Sequence, residues 1–100
     1  MPEFKTEVPH QLGRDEAVSR LKGFVDSVRE RFKDQLDHAD GTWIDNVLDF
    51  SLKAAGVKVT GKLTVEETRA CVAGQLPFIA LPLRGMIERQ IADELQSELT

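Results

Sequence analysis

A chain of 100 residues, 41% hydrophobic and 30% charged, has the make-up of an ordinary soluble globule, long enough for one small core. Its net charge of −4, with acids and bases interspersed, argues against the basic stripe on which nucleic-acid binding depends. The lone cysteine, Cys71, rules out an intramolecular disulfide and suits a reducing compartment. The N-terminal Met1 to Glu7 lacks the apolar run of a secretory signal. The longest uncharged apolar run, Leu76 to Leu83, falls far short of the ~20 residues a spanning helix needs. A cytoplasmic protein without a transmembrane segment is expected, with residues 1–100 forming one domain.

The first predicted element is a short strand, with Phe4, Thr6 and Val8 on one face and Lys5 and Glu7 on the other, ended by Pro9. From Arg14 to about Lys33 the period becomes helical: Ala17, Leu21, Phe24, Val25, Val28 and Phe32 form one apolar stripe. Asp15 and Glu16 in the first turn, and Arg29, Arg31 and Lys33 in the last, suit the helix dipole. Gly23, inside this helix, is expected to permit close packing against the sheet.

Strands follow. Asp40-Gly41 reads as a turn or bulge before Thr42-Trp43-Ile44, and Asp45-Asn46 as a tight hairpin turn. Leu48, Phe50, Leu52 and Ala54 then alternate with polar neighbours, Ala55-Gly56 turns the chain, and Val57, Val59, Gly61, Leu63 and Val65 form the next inward row. Glu66-Glu67 reads as a solvated hairpin whose side chains point apart, and Ala70, Val72, Gly74 and Leu76 supply the last inward row. Pro82 suits the first position of a closing helix, along which Leu83, Ile87, Ile91, Leu95 and Leu99 recur in steps of four. Gly85 lies one step off this ridge and would allow close approach. The pattern is β-α-β-β-β-β-α: an α+β, two-layer sandwich with an antiparallel sheet, both helices on one face and the first strand at an edge.

The residue types capable of chemistry are scattered. Asp37-His38-Ala39-Asp40 has no second histidine or cysteine at ligand spacing and reads as a polar turn, so no metal site is expected. His10 reads as surface decoration, a helix-entry group or a pH-sensitive one. Cys71 falls on the outward row; Arg69, on the same face, would lower its pKa slightly, but no base accompanies it and an idle thiol is expected. Trp43 reads as a core cap rather than a ligand-stacking ring. No phosphate-cradling glycine motif occurs, so no catalytic residue and no cofactor are expected.

The segment Leu76-Pro77-Phe78-Ile79-Ala80-Leu81-Pro82-Leu83 is the exception. Either Phe78, Ile79, Leu81 and Leu83 roll over the open end of the sandwich and finish the core, or they form an exposed apolar patch of the kind that marks a partner site. The second reading defines a candidate contact surface of Phe78, Ile79, Leu81 and Met86.

Several elements together resemble a known family. They are His10-x-Leu12 before a helix carrying Glu16-Ala17, then Trp43, then Leu48-x-Phe50. Gly56-Val57-x-Val59-x-Gly61-x-Leu63-x-Val65 and a closing Ile87-Glu88-x-x-Ile91-x-x-x-Leu95 complete the set. This chain resembles the polyhydroxyalkanoic acid system proteins, also called the polyhydroxyalkanoate granule-region family, over nearly its whole length. The resemblance implies a link to polyhydroxyalkanoate synthesis or use and, for some members, to the granule surface; it brings no catalytic motif.

Two functions are therefore expected to compete. One is a non-enzymatic accessory protein that meets a hydrophobic polymer granule, or a granule-associated protein, through the apolar patch. The alternative is a small hydrophobic-ligand binder with a helix-grip-like cavity suited to acyl chains, for which inward-facing Gly61 and Gly74 would leave room. An interior cavity favours the second; a filled interior with exposed Phe78 and Ile79 favours the first.

Overall fold

Two-residue apolar alternation builds five antiparallel strands: β1 (Glu3–Pro9), β2 (His38–Ile44), β3 (Val47–Ala54), β4 (Val57–Val65) and β5 (Arg69–Gln75). They form one sheet in the order β1-β5-β4-β3-β2 in a computed structural model that describes residues 2–100. The chain thus lays down β2 to β5 as a meander and closes it with β1, an edge strand as expected. The inward rows are those of the sequence pattern, and Leu48, Leu63, Val65, Ala70 and Val72 are fully buried. The helices α1 (Arg14–Leu21), α2 (Phe24–Arg31) and α3 (Arg84–Leu99) supply the second layer of this α+β sandwich.

Five local expectations are corrected. The helix predicted to run from Arg14 to about Lys33 is broken after Leu21. Gly23, at φ −93° and ψ 10°, caps α2 instead of continuing α1, and a Cβ placed on it would meet nothing within 4 Å. Its role is local, a poor helix former at the break between α1 and α2, rather than close packing. Gly85 likewise has open space where close approach was expected. Asp40 and Gly41 lie within β2, not in a turn or bulge, and the space beside Gly41 is taken by Val25 and Leu48. Pro82 belongs to a 3-10 turn over Phe78–Leu83, and α3 starts only at Arg84.

The tight turns use the expected residues. Ala55 and Gly56 adopt φ 53° and 81°, the paired positive values of a two-residue hairpin turn. At the other hairpin only Asp45 is left-handed, with φ 54°. Asn46 instead ties its own turn to the end of β4, its amide donating to the Val65 carbonyl at 2.8 Å.

Across the middle of the sheet, Phe4, Gly74, Gly61, Phe50 and Gly41 stand in one row of register. The room expected at Gly74 and Gly61 is filled by rings: a Cβ on Gly74 would lie 2.6 Å from Phe4 and one on Gly61 2.9 Å from Phe50. The Thr60 carbonyl oxygen crowds Gly74 from the neighbouring strand. Here glycine is required by close approach, and the rings occupy the inward space that the missing side chains would leave.

Both sheet edges are met by side chains from the helical layer. The Lys5 backbone N–H of β1 donates to Glu88 of α3 at 2.8 Å, and Arg29 of α2 donates to the Ala39 carbonyl of β2.

Candidate functional site: the apolar end of the sandwich

Apolar residues are distributed unevenly between the two ends of the molecule. At the end carrying the β2–β3 and β4–β5 turns, polar groups close the structure. His10 is buried; its Nδ1 accepts the Leu12 N–H at 3.2 Å, so Nε2 bears the proton and donates to the Glu66 carbonyl at 2.9 Å. It is a latch between the β1–α1 connection and the β4–β5 loop, not surface decoration. Gly13, at φ 80°, offers no side-chain cap to α1; Glu67 takes that place, accepting the Arg14 N–H at 3.3 Å. The Glu66 carboxylate pairs with Arg69 at 3.0 Å. The predicted solvated acidic pair is therefore a structural hinge point for two neighbouring segments.

The opposite end is apolar. Leu76 and Ala80 are buried and anchor the segment after β5, and the Ala80 N–H closes the 3-10 turn on the Pro77 carbonyl at 2.9 Å. Between and beyond these anchors the side chains turn outward: Phe78 is 72% exposed, Ile79 82%, Leu81 40% and Met86 50%. The expectation that this segment rolls over and finishes the core does not hold. The α3 ridge changes character along its length, from Leu95 and Leu99, which are buried, through Ile87, which is partly buried, to exposed Leu83.

Beside this patch an open groove of about 340 Å³ lies between α2, α3 and the ends of β3 and β4. Phe24, Val28, Phe32, Leu52, Val57 and Ile91 line it, with Leu83 and Met86 shared between groove and patch. Glu94 enters the same groove with its side chain only 6% exposed. Its Oε1 accepts from Arg31 at 2.8 Å, tying α3 to α2, whereas its Oε2 is buried with no hydrogen-bond partner among the described residues.

The family model for "putative polyhydroxyalkanoic acid system protein" matches residues 5–99. The chain belongs to this family. Membership supports a role in the polyhydroxyalkanoic acid system. No curated protein matches the chain. In this family member, most residues that carried the resemblance are structural: Ala17, Leu48, Leu63, Val65 and Leu95 are core, and Glu88 holds the edge of β1.

The remaining candidates are dispersed. His38 pairs with Asp40 at 2.7 Å along one face of β2, and no group of three or more His, Cys, Asp or Glu side chains is placed to hold a metal among the described residues. Trp43 packs against the core with the Lys22 ammonium 5.1 Å from its ring centre. Cys71 faces Glu7 and Glu66 as well as Arg69. Burial, then these carboxylates, outweigh the arginine, so the thiol pKa is raised above its ordinary value rather than lowered. No helix is long and apolar enough to cross a membrane among the described residues.

Sequence reasoning located the patch but missed the groove and Glu94. The signal for Glu94 was available: it lies one position before Leu95 and three after Ile91, at the margin of the α3 ridge. The groove has no such signal, because its walls come from α2, α3 and the ends of β3 and β4, which are far apart in the sequence.

Proposed function

We propose that this protein is a non-enzymatic accessory factor of polyhydroxyalkanoate metabolism, cytoplasmic, that attaches to the granule surface or to granule-bound proteins through Phe78, Ile79, Leu81 and Met86. The observation that carries this reading is the outward display of Phe78 and Ile79 on a segment whose own anchors, Leu76 and Ala80, are buried. Full burial of each large side chain against an apolar surface contributes about 1.5–3 kcal/mol. The segment is already ordered by Pro77, Pro82 and the 3-10 turn, so little backbone freedom is lost on contact. Met86 adds a flexible side chain suited to an irregular surface.

Family membership agrees with a role in polyhydroxyalkanoate metabolism. The test is replacement of Phe78 and Ile79 by serine, with melting temperature and co-sedimentation with polymer granules measured side by side. Lost sedimentation at unchanged melting is expected. Retained sedimentation would refute the patch as the contact.

A further inference from the structure

Five of the six large apolar side chains exposed among the described residues, all but Ile44, fall between Phe78 and Met86. Phe78 and Ile79 stand out from the 3-10 turn, and the groove beside them is hollow, with Leu83 and Met86 bordering both. At about 30 Å³ for each carbon-sized group, a groove of about 340 Å³ takes about eleven carbons. The side chains of Phe78 and Ile79 together carry that many. A projection and a hollow that fits it, side by side on one surface, make that surface self-complementary about a two-fold axis.

We propose that two copies of this chain pair about a two-fold axis near Leu83 and Met86, each placing Phe78 and Ile79 in the other's groove. Pairing through the sheet is a poor rival, since Glu88 and Arg29 already occupy the edge groups that strand addition needs. The exposed side chains offer roughly 500 Å² per copy before the groove walls are counted. The pair therefore clears the ~1,000 Å² of a specific interface and falls below the ~1,600 Å² of a standard one. Association is reversible, with a dissociation constant of about 10 µM or weaker, and a chain diluted to about 1 µM is single. Pairing also hides Phe78 and Ile79, so that single copies alone are free to attach to granules. That consequence rests on the granule reading, whereas the pairing itself does not.

The test is sedimentation velocity from about 5 µM to about 500 µM, across which the mean mass should rise towards that of two copies. Ala54→Phe fills the groove, and Gln90→Lys sets a charge on its exposed rim without touching the core. Each should weaken pairing about tenfold or more. Serine at both Phe78 and Ile79 should abolish it. The decisive arm is complementation: the double-serine chain keeps its groove, and Ala54→Phe keeps its projecting side chains. Adding unlabelled Ala54→Phe to isotope-labelled double-serine chain should shift the amides of Leu52, Val57 and Ile91. Adding unlabelled double-serine chain should not. At about 1 µM, Ala54→Phe should sediment with granules as the unaltered chain does. A double-serine chain that still sediments would end the granule reading and leave the pairing to stand on the mass and shift data. A chain that stays single at about 500 µM, or that grows past two copies, would overturn the proposal. So would pairing unaffected by both groove variants, or an absence of shifts on mixing.

Discussion

The two ends of this sandwich are finished by different chemistry. At one end His10, Asn46 and Glu67 each satisfy backbone groups of a neighbouring segment, so the connections between elements are fixed by polar contacts. At the other, the same sheet ends in apolar side chains, several of them facing outward, and a groove whose polar requirement is incomplete. The first end exposes one large apolar side chain, Ile44, and leaves no buried polar side chain without a partner among the described residues. The second has apolar surface and a buried acceptor left over, which is the arrangement expected of a surface kept for something outside the chain.

Four variants and one titration sharpen or break this contrast. Phe50 lies between the two layers, over Gly61 and along the groove floor, so Phe50→Ala should cost about 3–5 kcal/mol in denaturant unfolding. A loss below ~1 kcal/mol would mean that the sheet register is shifted by one residue. At the polar end, His10→Ala leaves the Leu12 N–H and the Glu66 carbonyl without their partner and should cost about 2–3 kcal/mol. At the apolar end, serine at both Phe78 and Ile79 should change stability by less than ~1 kcal/mol. If that pair proves more damaging than His10→Ala, the contrast between the ends is wrong. Gly23→Ala tests the helix break: with open space and an ordinary negative φ, alanine should add about 0.5 kcal/mol. A marked loss would mean that the turn needs glycine.

The smallest effect concerns Cys71. Its raised pKa leaves less thiolate at neutral pH than an unperturbed cysteine has, so alkylation should be slow at pH 7 and climb beyond the usual range. The linkage has a definite sign. Because the unfolded thiol ionises first, this contribution to stability is complete below the unfolded pKa and disappears as pH rises through the folded one. Rapid alkylation at pH 7 would contradict it.

The strands were legible because a half-buried antiparallel sheet writes its two faces into alternate residues, as Leu48, Phe50 and Leu63 do. The exposed apolar segment was also legible, as an uncharged run between prolines that starts from inward-facing Leu76, though burial of Ala80 could not be separated there from exposure of Phe78 and Ile79. Tertiary geometry hid the rest. The packing role expected of Gly23 and the space expected at Gly74 were interchanged, since a glycine's neighbours come from other strands. The burial of His10 and the capping contact of exposed Glu67 were hidden because their partners lie 56 and 53 residues away.

The carboxylate of Glu88 on the Lys5 N–H and the guanidinium of Arg29 on the Ala39 carbonyl have a consequence for assembly. A sheet with two free margins is open to recruitment of another strand, from a partner or from a second copy. Here an incoming strand meets a helix-borne side chain already bonded at each margin, and has to displace it before the ladder can grow. Association by strand addition is therefore opposed on both sides. Crowding many copies together would favour contacts between side chains over shared backbone ladders, and so oppose the cross-β route to fibrils.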